Sequence, residues 1–255
     1  MTDLLHNPLF FATAIPAVIL VGLSKGGFGG AMAVVGVPLM ALAIPPVRAA
    51  AILLPILMLM DVAALWAWRY GPRDMKTFRN MLPGAAIGVG FGWLVAAIVT
   101  EAMVKLIVGL IAFGFVARWL WQKLGGREKI HSHNVVSGTF WSALSGFTSF
   151  VAHAGGPAYQ VYTLPLRHDP KTYTATTVVF FAVVNAMKLI PYFALGELDT
   201  SNLLAALSLA PVAIVSTVAG AAVVKRMRAE IFYPLTYGLV FLLSLKLIYD
   251  GTAGL

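Results

Sequence analysis

Long apolar runs dominate this sequence and restrict what it can fold into. Only 11% of the residues are charged, whereas a soluble domain has about 25%. A helix needs roughly 20 apolar residues to cross a bilayer. Ten apolar segments follow one another along the 255 residues: about 9–24, 30–44, 48–68, 81–99, 103–122, 135–150, 156–167, 172–195, 202–224 and 231–249. The sequence therefore predicts an all-α, polytopic membrane protein.

Two pairs of these segments are interrupted by glycine. The first, second, sixth and seventh segments are shorter than a full span, and the fourth is marginal. Glycine-rich stretches at 26–30 and 153–156 join the short segments in pairs. Backbone groups at such breaks must find partners within the protein, because lipid offers none. We expect two helical hairpins with their tips inside the protein, and both re-entrant and fully spanning hairpins fit the pattern.

The basic residues indicate an orientation. Twelve of the eighteen Lys and Arg residues lie in four connections, 69–80, 123–134, 167–171 and 225–230. The opposite connections contain only Arg48 among basic residues. Because short cytoplasmic loops are enriched in Lys and Arg, we expect these four connections to be cytoplasmic in an inner membrane. Both termini would then lie outside.

Other classes of function are not favoured. The net charge of +8 is spread over short loops and forms no nucleic-acid surface, and the absence of cysteine excludes disulfides and thiolate chemistry. The sequence carries no nucleotide or metalloprotease fingerprint. His131-Ser132-His133 lacks acidic or cysteine partners nearby and indicates a solvated loop. We therefore predict no enzyme activity, no cofactor and no metal. Residues 1–8 lack signal-peptide features and are expected to belong to the mature chain.

The two halves of the chain resemble each other. Pro46 and Pro170 each precede a long apolar segment, and Asp61 and Asn185 follow at the same offset of 124 residues. Each half contains five segments, an odd number, so the second half would be inverted relative to the first. This predicts a first repeat at 1–124, a cytoplasmic linker at 125–134 and an inverted repeat at 135–255.

Inverted repeats with broken helices commonly hold substrate at the repeat interface. The helices that start near Gly30 and Gly156 would direct N–H groups towards that region, which suits an anion. Alternatively, the glycines only allow close helix packing, as small residues do throughout membranes.

These residues resemble a known family. The stretch 22–30, followed by Val37-Pro38-Leu39, is similar to the signature of the sulfite exporter TauE/SafE family, and 145–149, Gly155-Gly156 and 164–166 are similar to its second copy. The resemblance implies a small inner-membrane permease for sulfur oxyanions or organosulfonates, typically moving sulfite outward. Phe150-Val151-Ala152-His153 departs from the pattern, since small residues are expected there.

Candidate substrate-binding residues lie at or near the two breaks: Ser24, Lys25, Gly26, Gly27, Gly29, Gly30, Thr148, Ser149, His153, Gly155, Gly156, Gln160 and Asn185. If the first hairpin is re-entrant, the Lys25 ammonium must bind an anion or pair with another group. If the first segment spans fully, Lys25 is another charge on the cytoplasmic side. The hydroxyls could donate to an anion or bond between helices. His153 could bind an anion, carry a proton or be structural.

Asp61 and Lys188 are candidates for coupling or gating. Asp61 is the only carboxylate deep inside a segment, and ionisable groups in such places are functional candidates. It could carry a coupling proton or neutralise Lys188, which lies one turn beyond Asn185.

The pattern as a whole predicts a secondary transporter that exports sulfite by alternating access. Its partners would be the small anion and the lipid bilayer, and a homodimer is left open. Uptake of an organosulfonate or another anion is the alternative. A membrane enzyme or assembly factor would need a reactive constellation, for which only Asp61, Lys188 and His153 are available.

Overall fold

The computed structural model describes residues 4–30, 32–95, 98–126, 130–194 and 200–254, and these residues form helices and turns without a strand. Charged residues of the predicted loops at positions 3, 127, 129, 197 and 199 lie outside the described part. Ten α-helices are present in the described residues: α1 Pro8–Gly27, α2 Ala33–Met40, α3 Pro46–Ala67, α4 Met75–Val95, α5 Glu101–Leu124, α6 Val135–Ala152, α7 Gly155–Thr163, α8 Pro170–Ala194, α9 Thr200–Arg226 and α10 Ala229–Ala253. The all-α prediction is confirmed.

Within the described residues, seven helices are long and apolar enough to cross a membrane. They lie at 8–27, 48–67, 101–124, 135–152, 170–191, 200–226 and 229–253. The helices α2 and α7 have 8 and 9 residues and are too short to cross. The prediction that the first and sixth segments are short is wrong, because α1 and α6 reach 20 and 18 residues. Each predicted hairpin is therefore one full-length helix followed by a half-length helix.

The two long helices predicted to begin at proline do so. α3 begins at Pro46 and α8 at Pro170. Proline suits the first helical position, because its missing N–H would have no helical partner there and its backbone angle is already helical. Asp61 and Asn185 consequently lie at equal distances from the starts of their helices.

The described helices form two compact units. The first unit comprises residues 1–71 and 177–226, with α1 to α3, most of α8 and α9. The second comprises residues 72–176 and 227–255, with α4 to α7, the start of α8 and α10. Each unit combines helices from both predicted sequence halves. The division into repeats at 1–124 and 135–255 stays a prediction.

In the first unit, α1 and α9 pack with their backbones in close approach. A Cβ atom on Gly26 would overlap the carbonyl oxygen of Thr217, and one on Gly220 would overlap that of Leu23. Small residues on both helices thus allow a contact that larger side chains would prevent. The buried apolar core of this unit surrounds the crossing, with residues of α1, α3 and α9.

In the second unit, α4 and α6 pack in the same manner. Cβ atoms on Gly84 and Gly88 would overlap the carbonyl oxygens of Thr139 and Ala143. Each unit therefore contains a close crossing of glycine-containing helices.

Two glycines of α4 provide a matched test of this packing. We expect Gly88→Ala to destabilise the protein by about 1–3 kcal/mol, because the added methyl overpacks the crossing. Gly90 has open space around its Cβ position, so Gly90→Ala should instead stabilise the helix by about 0.5–1 kcal/mol. Thermal unfolding in detergent would measure both. Equal shifts for the two variants would contradict the close α4–α6 contact.

Candidate functional site

Four buried polar side chains meet within the first unit. Lys25 comes from α1, Asp61 from α3, and Asn185 and Lys188 from α8. Their exposed fractions are 7%, 4%, 3% and 1%. Throughout the described residues, Lys25, Asp61 and Lys188 are the only Lys, Arg, Asp or Glu side chains that are buried. We call these four residues the charged cluster.

The Asp61 carboxylate organises the charged cluster. The Lys25 ammonium forms an ion pair with Asp61 Oδ1 and lies 3.4 Å from the carbonyl oxygen of Leu57. The amide Nδ2 of Asn185 donates to Asp61 Oδ2 at 2.6 Å. Both carboxylate oxygens are thus engaged. Contact between the Asn185 amide and an anion stays a prediction, since Nδ2 carries a second hydrogen.

Lys188 adds a second lysine to the charged cluster. It is buried close enough to Lys25 and Asp61 for their charges to act on it. Asp61 forms its direct ion pair with Lys25, and its charge also acts on Lys188. The charged cluster thus contains two lysines and one carboxylate, and a buried charge is costly without compensation. An anion is the chemical partner that such a place favours.

The first break lies directly after Lys25 and is held by Ser24. The Ser24 carbonyl accepts hydrogen bonds from the N–H groups of Phe28 and Gly30 at 2.7 and 3.1 Å, and its hydroxyl accepts from Met32 N–H at 3.1 Å. Gly29 and Gly30 adopt φ angles of 74° and 67°, which favour glycine. These three N–H groups of the break therefore find partners within the protein.

The first glycine run is divided between a helix and a turn. Gly26 and Gly27 lie inside α1, so the prediction that the whole run lies at a helix break is wrong for them. They pack against α9, where a Cβ atom on Gly27 would lie 2.8 Å from the Gly220 carbonyl oxygen. Trp68 Nε1 donates to the Gly26 carbonyl at 2.8 Å. These two glycines therefore fit the alternative in which glycine only allows close packing of helices.

Thr148 holds the second break in the second unit. Its carbonyl accepts from the N–H groups of His153 and Ala154, and its hydroxyl donates to the Ala154 carbonyl at 3.2 Å. The Ser145 hydroxyl donates to the Gly155 carbonyl at 2.8 Å. His153 ends α6 in the left-handed conformation, with φ of 50°. The Thr148 hydroxyl thus donates to a group of the protein itself. This fits the alternative in which the hydroxyls have a structural role.

The remaining candidates belong to the second unit. Ser149, His153 and Gln160 are buried, at 4%, 7% and 0% exposure. Gly155 and Gly156 begin α7 rather than preceding it, and a Cβ atom on Gly155 would lie 2.7 Å from the Ser145 carbonyl oxygen. The structure groups these residues around the second break, and anion contact by them stays a prediction.

A known protein family matches most of this sequence. A family model described as sulfite exporter TauE/SafE matches residues 14–247, which include the charged cluster and both breaks. The chain belongs to this family. Comparisons with curated proteins and with solved structures gave no match. Family membership makes the chain a multi-pass membrane permease of the class that moves sulfur anions.

The sequence of this TauE/SafE protein contains one further sign of the repeat that the sequence analysis missed. The offset of 124 residues that relates Asp61 to Asn185 also relates Ser24 to Thr148. Both carbonyls accept two N–H groups just after a long helix. Extending the repeat upstream would therefore have identified Ser24 and Thr148 as residues that hold the two breaks.

Proposed function

We propose that this TauE/SafE protein is a secondary transporter that exports sulfite, with the anion held beside Lys25 and Lys188. The observation that carries the proposal is that two buried lysines meet one buried carboxylate in the charged cluster. Sulfite is compact, negatively charged and rich in acceptor oxygens. A lysine ammonium offers three N–H donors and no acceptor, so the cluster matches an anion and disfavours a cation.

Asp61 has a separate part in this mechanism. It holds Lys25 through an ion pair and Asn185 through a hydrogen bond. Protonation of Asp61 would weaken its hold on Lys25 and increase the positive charge available to the anion. We therefore assign proton coupling to Asp61.

The coupling role has a direct test. Export by the wild-type protein is expected to vary with pH, whereas Asp61→Asn, which has no proton to exchange, should lose that dependence. Flux is measured in liposomes over a pH series with the membrane potential clamped. Asn185→Ala is the matched control, since it removes a partner of Asp61 and leaves the carboxyl group. An Asp61→Asn profile as steep as that of the wild type would contradict coupling at this residue.

Two further contacts support alternating access by inverted repeats. In an inverted repeat of five helices, α1 corresponds to α6 and α9 to α4. The α1–α9 crossing of one unit and the α4–α6 crossing of the other are then the same contact made twice. Asp61 and Asn185, which would be equivalent positions, also bond to each other. Equivalent residues meet only near a pseudo-two-fold axis, where such transporters bind substrate.

The sidedness of the proposed transporter follows from charge. The basic connections 69–80, 123–134, 167–171 and 225–230 would face the cytoplasm of an inner membrane. Export then moves sulfite from that face to the side of the two termini.

Liposome flux tests the proposed function. Purified protein is reconstituted in liposomes loaded with sulfite, and efflux is compared with that of protein-free liposomes. We expect saturable efflux that external sulfite trans-stimulates, with weaker transport of sulfate and of a taurine-like sulfonate. Transport of the sulfonate in preference to sulfite would favour the organosulfonate alternative. No protein-dependent flux of any of these anions would overturn the proposal.

A further inference from the structure

A second group of ionisable side chains lies in the second unit, and none of its members has been assigned to transport. Asp74 precedes α4, His133 precedes α6 and His168 precedes α8. Their side chains are 14%, 20% and 21% exposed. We call these three residues the loop triad, because each lies in a connection that leads into a helix.

The loop triad converges on one oxygen atom. His133 Nε2 lies 2.6 Å from Asp74 Oδ2, and His168 Nε2 lies 2.9 Å from the same oxygen. The Thr77 hydroxyl also donates to Oδ2, at 2.6 Å. A carboxylate oxygen has two lone pairs, so three groups crowd one acceptor. His168 Nε2 is buried and lacks an aligned hydrogen bond despite its proximity. The nitrogen is placed for another partner at this point.

We propose that Asp74, His133 and His168 form a binding site for a divalent transition metal, with Zn²⁺ as the reference ion. The three ligand atoms already lie within 4.8 Å of one another. In a tetrahedral zinc site with bonds of about 2.0–2.1 Å, ligand atoms are separated by roughly 3.3 Å. Small outward shifts of the two imidazoles from Oδ2 create that geometry. Imidazole ligands favour zinc-like ions over Mg²⁺ and Ca²⁺.

Neighbouring groups hold the ligands in place. Asp74 Oδ1 accepts from Lys76 N–H at 3.0 Å, which leaves Oδ2 directed at the histidines. Asp74 N–H donates to Thr176 Oγ1 at 2.8 Å, and Tyr233 Oη donates to the His168 carbonyl at 2.5 Å. Such outer contacts orient metal ligands and tune their affinity. A bound ion would join the connections that lead into α4, α6 and α8.

This site differs from the histidine pair considered in the sequence. His131 does not join the triad, and its N–H donates to the Pro165 carbonyl at 3.0 Å. His133 instead meets Asp74, which is 59 residues away. The expectation of no metal rested on local spacing, which cannot detect partners brought together by folding. The inference is independent of the transport proposal.

Metal titration of the full-length protein tests the site. The purified protein is stripped with a chelator and titrated with ZnCl₂ by calorimetry. We expect saturable binding of one ion per chain and a rise in melting temperature, because an ion bound only by the folded state stabilises it. Titration with CoCl₂ should give the visible absorption of a tetrahedral site. Absence of both saturable Zn²⁺ binding and the Co²⁺ spectrum would overturn the proposal.

A matched pair of variants assigns the ligands. His168→Ala is expected to weaken Zn²⁺ binding by at least about tenfold, whereas His131→Ala, from the neighbouring loop, should bind like wild type. His133→Ala provides a second ligand variant if His168→Ala does not fold. Equal affinity in the ligand variants and His131→Ala would place the metal elsewhere and overturn the assignment.

Discussion

Replacing Asp61 with alanine is expected to destabilise the protein by about 3–5 kcal/mol, because removal of one partner from a buried ion pair leaves an uncompensated charge. Here the loss is aggravated by Lys188, which lies close enough to interact with Lys25. Asp61→Ala would leave two buried ammonium groups without their carboxylate. The melting temperature and the fraction of monodisperse protein in detergent measure the effect.

Two further variants separate charge from packing. Asn185→Ala removes a neutral hydrogen-bond donor and should cost less, about 1–3 kcal/mol. The double variant Lys25→Met with Asp61→Leu removes both members of the ion pair and should recover most of the stability lost in Asp61→Ala. If Asp61→Ala is as stable as wild type, the charged cluster is not the compensated, buried network described here.

Replacing Lys188 with glutamine is expected to reduce sulfite export at least about a hundredfold. The change removes one of the two lysines of the charged cluster, and an ammonium that bonds a charged ligand in a buried place is worth several kcal/mol. Glutamine preserves much of the length of the side chain and its capacity to donate. The initial rate of efflux from liposomes is the measurement, with the amount of incorporated protein determined in parallel.

Lys105 provides the matched control for this variant. It also lies on a helix long enough to span the membrane, but its ammonium lies 2.6 Å from Glu101 one turn away. Lys105→Gln should therefore export sulfite at close to the wild-type rate. Similar losses in both variants would mean that Lys188 has no special part in transport.

The long helices were largely predictable from the sequence, but their ends near glycine were not. Pro46 and Pro170 begin α3 and α8 as predicted, because proline acts locally. The end of α1 was placed too early, because a glycine run normally weakens a helix. In the folded protein, contact with α9 compensates for this, and α1 continues to Gly27.

The members of the charged cluster were predictable, whereas their partners were not. Each member of the charged cluster is a polar residue in an apolar segment: Lys25, Asp61, Asn185 and Lys188. Which of them pair depends on how α1, α3 and α8 pack, and hydropathy carries no information on that. The sequence did not indicate that Asp61 forms its ion pair with Lys25. The loop triad was missed for the same reason.

Direct binding of radiolabelled sulfite to the purified protein tests the central claim most closely. Wild type and Lys105→Gln are expected to bind the anion saturably, and unlabelled sulfite should compete for the site. Lys188→Gln, verified to be folded by its melting temperature, is expected to show no saturable binding. Unchanged sulfite affinity in folded Lys188→Gln would contradict the claim that the charged cluster holds the transported anion.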